Sequence, residues 1–264
     1  IVPYGLGQEV KFEKNKGPLL SKFSIDKFLN TTEKDFINKL NPVYEAIKKT
    51  RGKLSKEKSL ISFVGSPWTL IVYMLGLKAG KNILNLEIIK NKKNEIKIIL
   101  EKIDMFLKIH IDEQIKAGAD IIQIFDSWAG MLPLEKLNNL CFEPNLKLVD
   151  FCKKNKIPVI CFPRGIKENY KEFSNIVNPD CLNIDYDINP EWALKNLNGT
   201  CIQGGMNPKV LLMDEKKIFL EAEKYLKMFK NYPYIFNLGH GLLPETKPEN
   251  VDKLINFVKE YKQK

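Results

Sequence analysis

The chain has 264 residues, of which 44% are hydrophobic and 28% are charged, an ordinary balance for a globular protein with a sizeable core. Its formal net charge is +10, and the basic excess is almost entirely lysine, because arginine stands only at positions 51 and 164. The lysines are scattered and do not alternate with aromatic residues, so nucleic acid is not an expected partner.

The first predicted elements are a helix and a strand–turn–helix unit. Residues 31–50 predict the helix, and no clear core strand precedes it. Residues 60–77 carry no charged side chain and are long enough to resemble a membrane span. Because the Gly65-Ser66-Pro67 turn divides this stretch, we expect a strand at 60–64, a helix from Pro67 through Met74, and no association with a membrane.

Short apolar runs then alternate with amphipathic segments to the end of the chain. Six βα units in strict alternation are typical of a parallel α/β sheet, either open and doubly wound or closed into a barrel. No GxGxxG follows a strand and no GxxxxGK[ST] occurs, which weakens the nucleotide-binding open sheet, whereas a closed barrel would need eight units. The remaining predicted strands are residues 121–125, 158–162, 181–184, 201–203 and 234–238. The remaining predicted helices are residues 95–117, 134–154, 167–176, 190–197, 214–229 and 248–261.

Cysteine usage bears on the cellular compartment. The five cysteines are odd in number, uneven in spacing and without a CxxC pair, and Cys161, Cys181 and Cys201 fall in or beside apolar strand runs. A reduced cysteine in such a run is a small core residue. We therefore expect no disulfide framework and a reducing, cytoplasmic environment.

A histidine between two glycines, Gly239-His240-Gly241, stands at the C-terminal end of the last predicted strand. In parallel α/β architectures, ligands bind and chemistry occurs at the C-terminal ends of the strands. His240 can bind a carboxylate or transfer a proton near neutral pH, which makes it a candidate site residue. The alternative is a buried histidine satisfied by the backbone. His110, the second histidine, lies within a predicted helix and receives no role.

Four stretches of the sequence, in this order and at these separations, resemble the uroporphyrinogen decarboxylase family. They are Gly5-Leu6-Gly7 with Gly17-Pro18, residues 63–70 with Tyr73-Met74, residues 118–120 running into 123–130, and residues 236–241 with 243–246. The resemblance covers essentially the whole chain. It implies a single domain of the (β/α)8 TIM-type barrel class over residues 1–264, in a cytoplasmic homodimer. It also implies cofactor-free decarboxylation of the four acetate side chains of uroporphyrinogen III to give coproporphyrinogen III in haem biosynthesis.

Two stretches of the family have no counterpart in this sequence. They are an Arg-Gln-Ala-Gly-Arg loop and a Ser-Asp turn, which belong to the first two strands of the family and carry its arginine and aspartate catalysts. We therefore interpret the chain as lacking two front βα units, with the catalytic residues upstream of Ile1. A polypeptide of these 264 residues alone is expected to be inactive.

The resemblance implies three substrate-binding residues, Tyr73, Ser127 and His240. By position alone, Tyr73 would be a core tyrosine and Ser127 a loop serine or helix N-cap. Phe63 and Phe125 are expected to line the apolar floor of the pocket, although core packing would also explain them.

Two charged residues that follow predicted strands are expected to have other roles. Arg164, which follows the strand at 158–162, is expected either to line the pocket and meet a carboxylate or to form a surface salt bridge. Asp126, which precedes Ser127, is a candidate acid or base, but we expect it to organise its turn.

Two alternative functions remain open. The first is a methyltransferase of the same barrel superfamily that uses zinc and a corrinoid partner. Such relatives resemble one another in a His-x-Cys zinc pair and a later cysteine, whereas this chain has Val159 before Cys161 and His240 in the terminal loop. We therefore expect no metal site. The second alternative is a catalytically inactive chain, because the arginine and aspartate motifs are absent.

Overall fold

The structure, a computed structural model, describes residues 1–13, 17–80, 83–197 and 199–261, with the side chains of residues 17 and 18 left out. The chain divides into a first unit, Ile1–Pro163, and a second unit, Arg164–Lys264. Parallel strands alternate with helices in both units, as the sequence predicts.

Three strands of the first unit pair in parallel, in the order β3-β6-β7. Two further strand pairs, β1 with β2 and β4 with β5, are short and antiparallel. The strands of this unit are β1 (Val10–Glu13), β2 (Gly17–Leu20), β3 (Ile61–Gly65), β4 (Lys78–Gly80), β5 (Ile83–Leu84), β6 (Ile121–Asp126) and β7 (Val159–Pro163). The helices are α1 (Val2–Gly5), α2 (Ile25–Asn30), α3 (Glu33–Lys53), α4 (Pro67–Met74), α5 (Glu87–Asn91), α6 (Lys93–Lys116), α7 (Leu134–Leu137) and α8 (Glu143–Lys154).

The second unit contains three strands that pair in parallel, β8 with β9 and β9 with β10. Its strands are β8 (Cys181–Ile184), β9 (Cys201–Gly204) and β10 (Tyr234–Ile235). Its helices are α9 (Tyr170–Val177), α10 (Pro190–Asn196), α11 (Glu215–Met228) and α12 (Pro248–Glu260).

The predicted boundaries hold within a few residues for most elements, with two differences. The predicted helix at 134–154 is divided into α7, a π-helical turn at Asn138–Phe142, and α8. Pro144 at the start of α8 has no N–H to donate to the preceding turn, which favours such an interruption. The predicted strand at 234–238 is shortened to β10, followed by a single bridge between Leu238 and Met206.

The apolar stretch at 60–77 is resolved as predicted. It forms β3 and then α4, with Ser66 as the N-cap of α4 accepting a hydrogen bond from the Thr69 backbone N–H. None of the helices in the described part of the chain is long and apolar enough to cross a bilayer.

The pleat of β3 separates a helix-covered face from an open face. Ser62 and Val64 are buried, and the Ser62 hydroxyl hydrogen-bonds the Gln114 side chain on α6. Ile61 and Phe63 point to the other face, where the Phe63 side chain is 66% exposed. The alternation weakens in β6, where Ile121 and Phe125 are half-buried, and β7 is buried throughout, so the accessible face of the first unit lies along β3 and part of β6.

Arg51 ties the end of α3 to the beginnings of two strands. Its guanidinium donates a 2.7 Å hydrogen bond to the carboxylate of Asp120, which also accepts from the Leu60 backbone N–H at 2.6 Å. The remaining acceptors are the carbonyl oxygens of Lys58, Leu54 and Ser55. A lysine ammonium lacks the planar fork that reaches four acceptors at once, which explains an arginine here in a lysine-rich chain.

His110 is a buried structural residue whose charge state makes stability depend on pH. Its ring is 2% exposed, and its Nδ1 atom lies 3.0 Å from the Tyr44 hydroxyl. Burial lowers the pKa of His110 from 6.5 to about 4. Above pH 6.5 the ring is neutral in both the folded and the unfolded chain. Below it, the unfolded chain takes up a proton that the folded chain refuses, so the free energy of unfolding falls by up to about 1.4 kcal/mol per pH unit until the folded pKa is reached.

We therefore expect the thermal midpoint of the wild-type chain to fall more between pH 7.5 and pH 5 than that of His110→Gln. At pH 5, which lies between the unfolded and folded pKa values, the difference in the free energy of unfolding amounts to roughly 2 kcal/mol. Calorimetry of both proteins at the two pH values measures it. Equal pH dependence in the two proteins would show that the ring is protonated in the folded state.

Candidate active site

Three phenylalanines form an aromatic strip across the open face of the parallel strands in the first unit. Phe63, Phe125 and Phe162 lie on β3, β6 and β7, and neighbouring ring centroids are 5.8 and 6.2 Å apart in edge-to-face geometry. Phe63 is largely exposed, Phe125 is half-buried and Phe162 is buried. The predicted pocket residues Phe63 and Phe125 are thus in contact and offer an accessible apolar surface next to the strand ends.

Tyr73 projects from α4 beside the loop that contains Ser127. The Tyr73 side chain is 50% exposed, although the other residues of α4 are buried, so the core position suggested by sequence alone is wrong. Its ring meets that of Trp128 edge-to-face at 6.0 Å, and Trp68 Nε1 donates to the Trp128 carbonyl at 3.1 Å. Ser127 is half-buried and directly follows β6. The structure therefore brings Tyr73 and Ser127 to the same end of the strands.

Asp126 fixes this loop from the helix-covered face. Its carboxylate is fully buried and accepts hydrogen bonds from Thr69 Oγ1 at 2.8 Å and Asn145 Nδ2 at 3.3 Å, and it also bonds the side chains of Ser66 and Cys141. Burial raises the pKa of Asp126, and these hydrogen bonds oppose the rise. The predicted role as organiser of its turn is confirmed, because the contacts link β6 to the start of α4.

His240 is held in the second unit by a close approach of two backbones. The Gly239 N–H donates to the Met206 carbonyl at 2.8 Å. A Cβ atom at Gly239 would lie 2.8 Å from the Asp185 carbonyl carbon and from Tyr186 Cα, so only glycine fits. The imidazole of His240 follows this contact directly and is partly exposed, which agrees with a ligand-facing residue better than with a buried one.

Arg164 belongs to a second polar arrangement in the same unit. Its Nε atom lies 3.9 Å from Asp185 Oδ1, and the arginine and aspartate side chains are 40% and 7% exposed. Asp185 Oδ2 accepts hydrogen bonds from the Gly165 backbone N–H at 2.6 Å and from the Tyr170 hydroxyl at 2.8 Å. Burial raises the pKa of Asp185, while these donors and Arg164 oppose the rise. The predicted salt bridge is present, with a buried carboxylate as its anion.

Each of the two units thus contains one group of predicted site residues. The first unit groups Phe63, Phe125, Tyr73 and Ser127 along the ends of β3 and β6. In the second unit, Asp185 contacts Arg164 through its side chain and the residue before His240 through its backbone. Three further residues of these arrangements, Phe162, Trp128 and Asp185, are not among the predicted site residues. For Phe162 a signal existed, since Phe162 and Phe125 are each the last residue of their predicted strands.

Clusters that could hold a metal ion are absent from the described residues, in which no three His, Cys, Asp or Glu side chains converge. Cys161 is buried on β7, two residues after the equally buried Val159.

Comparison with known proteins identifies a matching family model and relatives of high sequence identity. The family model "Uroporphyrinogen decarboxylase (URO-D)" matches residues 1–261. Uroporphyrinogen decarboxylase from Rickettsia bellii (strain RML369-C) is 40% identical over 267 residues, which cover 100% of this chain and 78% of the relative. The protein of the same name from Orientia tsutsugamushi (strain Ikeda) is 38% identical over 268 residues, covering 99% and 77% of the two chains.

Solved structures resemble the fold at low sequence identity. A methyltransferase from Methanosarcina mazei has a TM-score of 0.75 and 18% identity, covering 98% of this chain and 77% of that one. A B12-independent methionine synthase from Shewanella sp. W3-18-1 has a TM-score of 0.59 and 11% identity, covering 96% and 72%. These likenesses show the fold alone, and with the family match they confirm the predicted α/β fold of the (β/α)8 class. Sequence, fold and family model agree that the chain belongs to the uroporphyrinogen decarboxylase family.

Proposed function

We propose that the protein is a carboxy-lyase of haem biosynthesis that removes the carboxyl groups of the four acetate side chains of uroporphyrinogen III, giving coproporphyrinogen III. The observation that carries this proposal is the family match over residues 1–261, together with relatives of that name at 40% and 38% identity. The accessible aromatic strip supports it, because a tetrapyrrole offers a large ring surface to apolar side chains.

The chemistry determines what the protein must supply. Decarboxylation breaks the bond between the methylene and carboxyl carbons of an acetate arm, and CO2 leaves. Protonation of a pyrrole ring carbon first makes the ring a cation, whose iminium nitrogen then accepts the electron pair, so the ring is its own electron sink and the arm becomes an exocyclic methylene. A second proton converts the methylene to a methyl group, and the ring then loses the first proton. The protein has to hold the carboxylates and place proton donors, and the proposed reaction involves no metal or organic cofactor.

We propose that Tyr73, Ser127 and His240 hold substrate carboxylates and that Phe63 and Phe125 contact the macrocycle. A tyrosine or serine hydroxyl can donate a charge-assisted hydrogen bond to a carboxylate, and so can a histidine N–H. The half-exposed positions of Tyr73 and Ser127 support this assignment. The zinc and corrinoid alternative would require histidine where Val159 stands.

Binding of uroporphyrin, the fluorescent oxidised analogue of the substrate, tests this assignment without requiring turnover. We expect saturable quenching of its fluorescence by the chain, and Tyr73→Phe and Ser127→Ala each to weaken binding about 5- to 10-fold, the effect of one lost hydrogen bond to a charged group. Tyr4→Phe is the matched control, because Tyr4 is also exposed but lies on α1. Wild-type affinity in both site variants would contradict the assigned roles, and no saturable binding by the wild type would contradict the substrate class.

Catalysis is a separate expectation. The resemblance implies that arginines grip carboxylates and assist proton transfer and that an aspartate contacts the central pyrrole N–H groups, and these residues belong to two stretches without a counterpart among the 264 residues. We therefore expect a polypeptide of these residues alone to bind uroporphyrinogen without converting it. Coproporphyrinogen formation by that polypeptide would overturn this expectation and leave the substrate assignment intact.

Domain organisation, oligomeric state and cellular compartment are also proposals. Residues 1–264 are proposed to belong to one barrel domain, the protein to form a homodimer, and the cytoplasm to be its compartment. Cysteine usage supports the last of these, because four of the five thiols are buried as small core residues. Sedimentation equilibrium tests the homodimer.

A further inference from the structure

Both arginines of the chain have an aspartate partner, but the two pairs lie at opposite ends of strands. Arg51 contacts Asp120 immediately before β6 begins, and Arg164 contacts Asp185 immediately after β8 ends. In parallel α/β folds, contacts at the strand beginnings serve stability and those at the strand ends serve ligands. The pairs therefore offer a matched comparison within one protein.

The Asp185 carboxylate fixes the backbone beside Arg164. One oxygen, Oδ2, accepts from the Gly165 N–H at 2.6 Å and from the Tyr170 hydroxyl at 2.8 Å. Gly165 has a φ of 80°, a left-handed conformation that a side chain would disfavour. The turn after β7 is thus folded around a buried acceptor, and the direction in which Arg164 leaves the chain is set by Asp185.

The two guanidinium groups differ in how many of their donors are engaged. Arg51 directs hydrogen bonds at four acceptors and is 23% exposed. Arg164 is 40% exposed, and its only polar contact among the described residues is the 3.9 Å approach of Nε to Asp185 Oδ1. Its terminal nitrogens therefore remain available to form a bidentate pair with a carboxylate, a geometry that lysine cannot match.

We infer that Asp185 is a positioning residue that holds Arg164 as a carboxylate-binding group for the tetrapyrrole substrate. This inference rests on the proposed function, because it takes the ligand to be a polycarboxylate. It assigns a role to Asp185, which does not itself touch the ligand, and it explains why position 164 is an arginine. The backbone of Asp185 also packs against Gly239, so one residue supports both Arg164 and the loop of His240.

Uroporphyrin binding to the full chain tests the inference through a double-mutant cycle. We expect Arg164→Gln to weaken binding about 10-fold and Arg164→Lys to weaken it less, because the ammonium keeps the charge without the fork. Asp185→Asn is expected to weaken binding about 5-fold in the wild-type background. In the Arg164→Gln background it should change binding less than twofold, since a positioning residue has no effect once its target is gone.

Several results would overturn the inference. Equal losses from Asp185→Asn in the two backgrounds would show that Asp185 acts independently of Arg164, and unchanged binding by Arg164→Gln would show that no carboxylate is bound there. Tyr170→Phe repeats the cycle if Asp185→Asn does not fold, and the same non-additivity is expected. Arg51→Gln is the control, which should lower the thermal midpoint and leave binding unchanged. A wild-type chain that binds no uroporphyrin would overturn the proposed function itself, whereas wild-type binding that ignores position 164 would overturn the inference alone.

Discussion

Gly239→Ala is expected to destabilise the second unit by about 3 kcal/mol and to reduce uroporphyrin binding below detection. The added methyl group would collide with the backbone nitrogen of Tyr186 and lie 2.8 Å from Asp185 C and Tyr186 Cα. Backbone atoms cannot rotate away as a flexible side chain can, so either the end of β8 or the loop of His240 must move. Both movements displace the imidazole from its place at the strand end.

Gly241→Ala provides the control on the other side of the same histidine. Apart from its two chain neighbours, no described residue places an atom within 4 Å of a Cβ at Gly241, so the added methyl group meets open space. We expect this variant to retain its thermal midpoint and to bind uroporphyrin within about twofold of the wild type. Thermal unfolding and fluorescence titration of both variants decide the matter. Similar behaviour of the two would mean that the close approach at Gly239 does not hold His240.

Asp126→Leu is expected to lower the free energy of unfolding by about 3 kcal/mol, equivalent to roughly 6–12 °C in the thermal midpoint of a protein of this size. Leucine fills the space but leaves Thr69 Oγ1 buried without its acceptor, whereas Asn145 Nδ2 keeps its hydrogen bond to the Cys141 carbonyl. Because Thr69 stands one helical turn before Tyr73, the same substitution should also weaken uroporphyrin binding.

Asp126→Asn separates the hydrogen bonds from the charge. The amide oxygen can still accept from Thr69, and a neutral group avoids the desolvation that raises the pKa of the carboxyl. We expect this variant to lose only about 1 kcal/mol. Calorimetry of the two variants distinguishes the explanations, because an asparagine as damaging as leucine would mean that the negative charge itself is required.

The strands were predictable because their signal is local. The apolar runs at 121–125 and 158–162 carry their hydrophobicity in consecutive residues, and both form strands at these places. The run at 234–238 failed after Ile235 because the Asn237 side chain accepts the Leu238 N–H at 2.8 Å and so competes with the ladder. Which donor would win that competition was not visible in the hydrophobic pattern.

Residues of the candidate site were predictable only where they lie in a stretch that resembles the family. Tyr73 illustrates the limit, since α4 is apolar on every side and its sequence does not reveal which residue faces outward. Asp126 and Asp185 depend on partners distant along the chain, such as Thr69 and Tyr170, 57 and 15 residues away. Such pairings arise from tertiary packing, which composition and periodicity do not encode.

Strand β6 assigns neighbouring residues to opposite tasks. Phe125 faces the aromatic strip, and Asp126 faces the helices, where its carboxylate anchors α4. Inserting or deleting a single residue between Ile121 and Asp126 would exchange the two sides, placing the ring among the helices and the carboxylate on the aromatic surface. Over evolutionary time this segment can therefore drift in composition while its length stays constant. Alignment gaps among descendants of this gene are accordingly expected in the flanking loops.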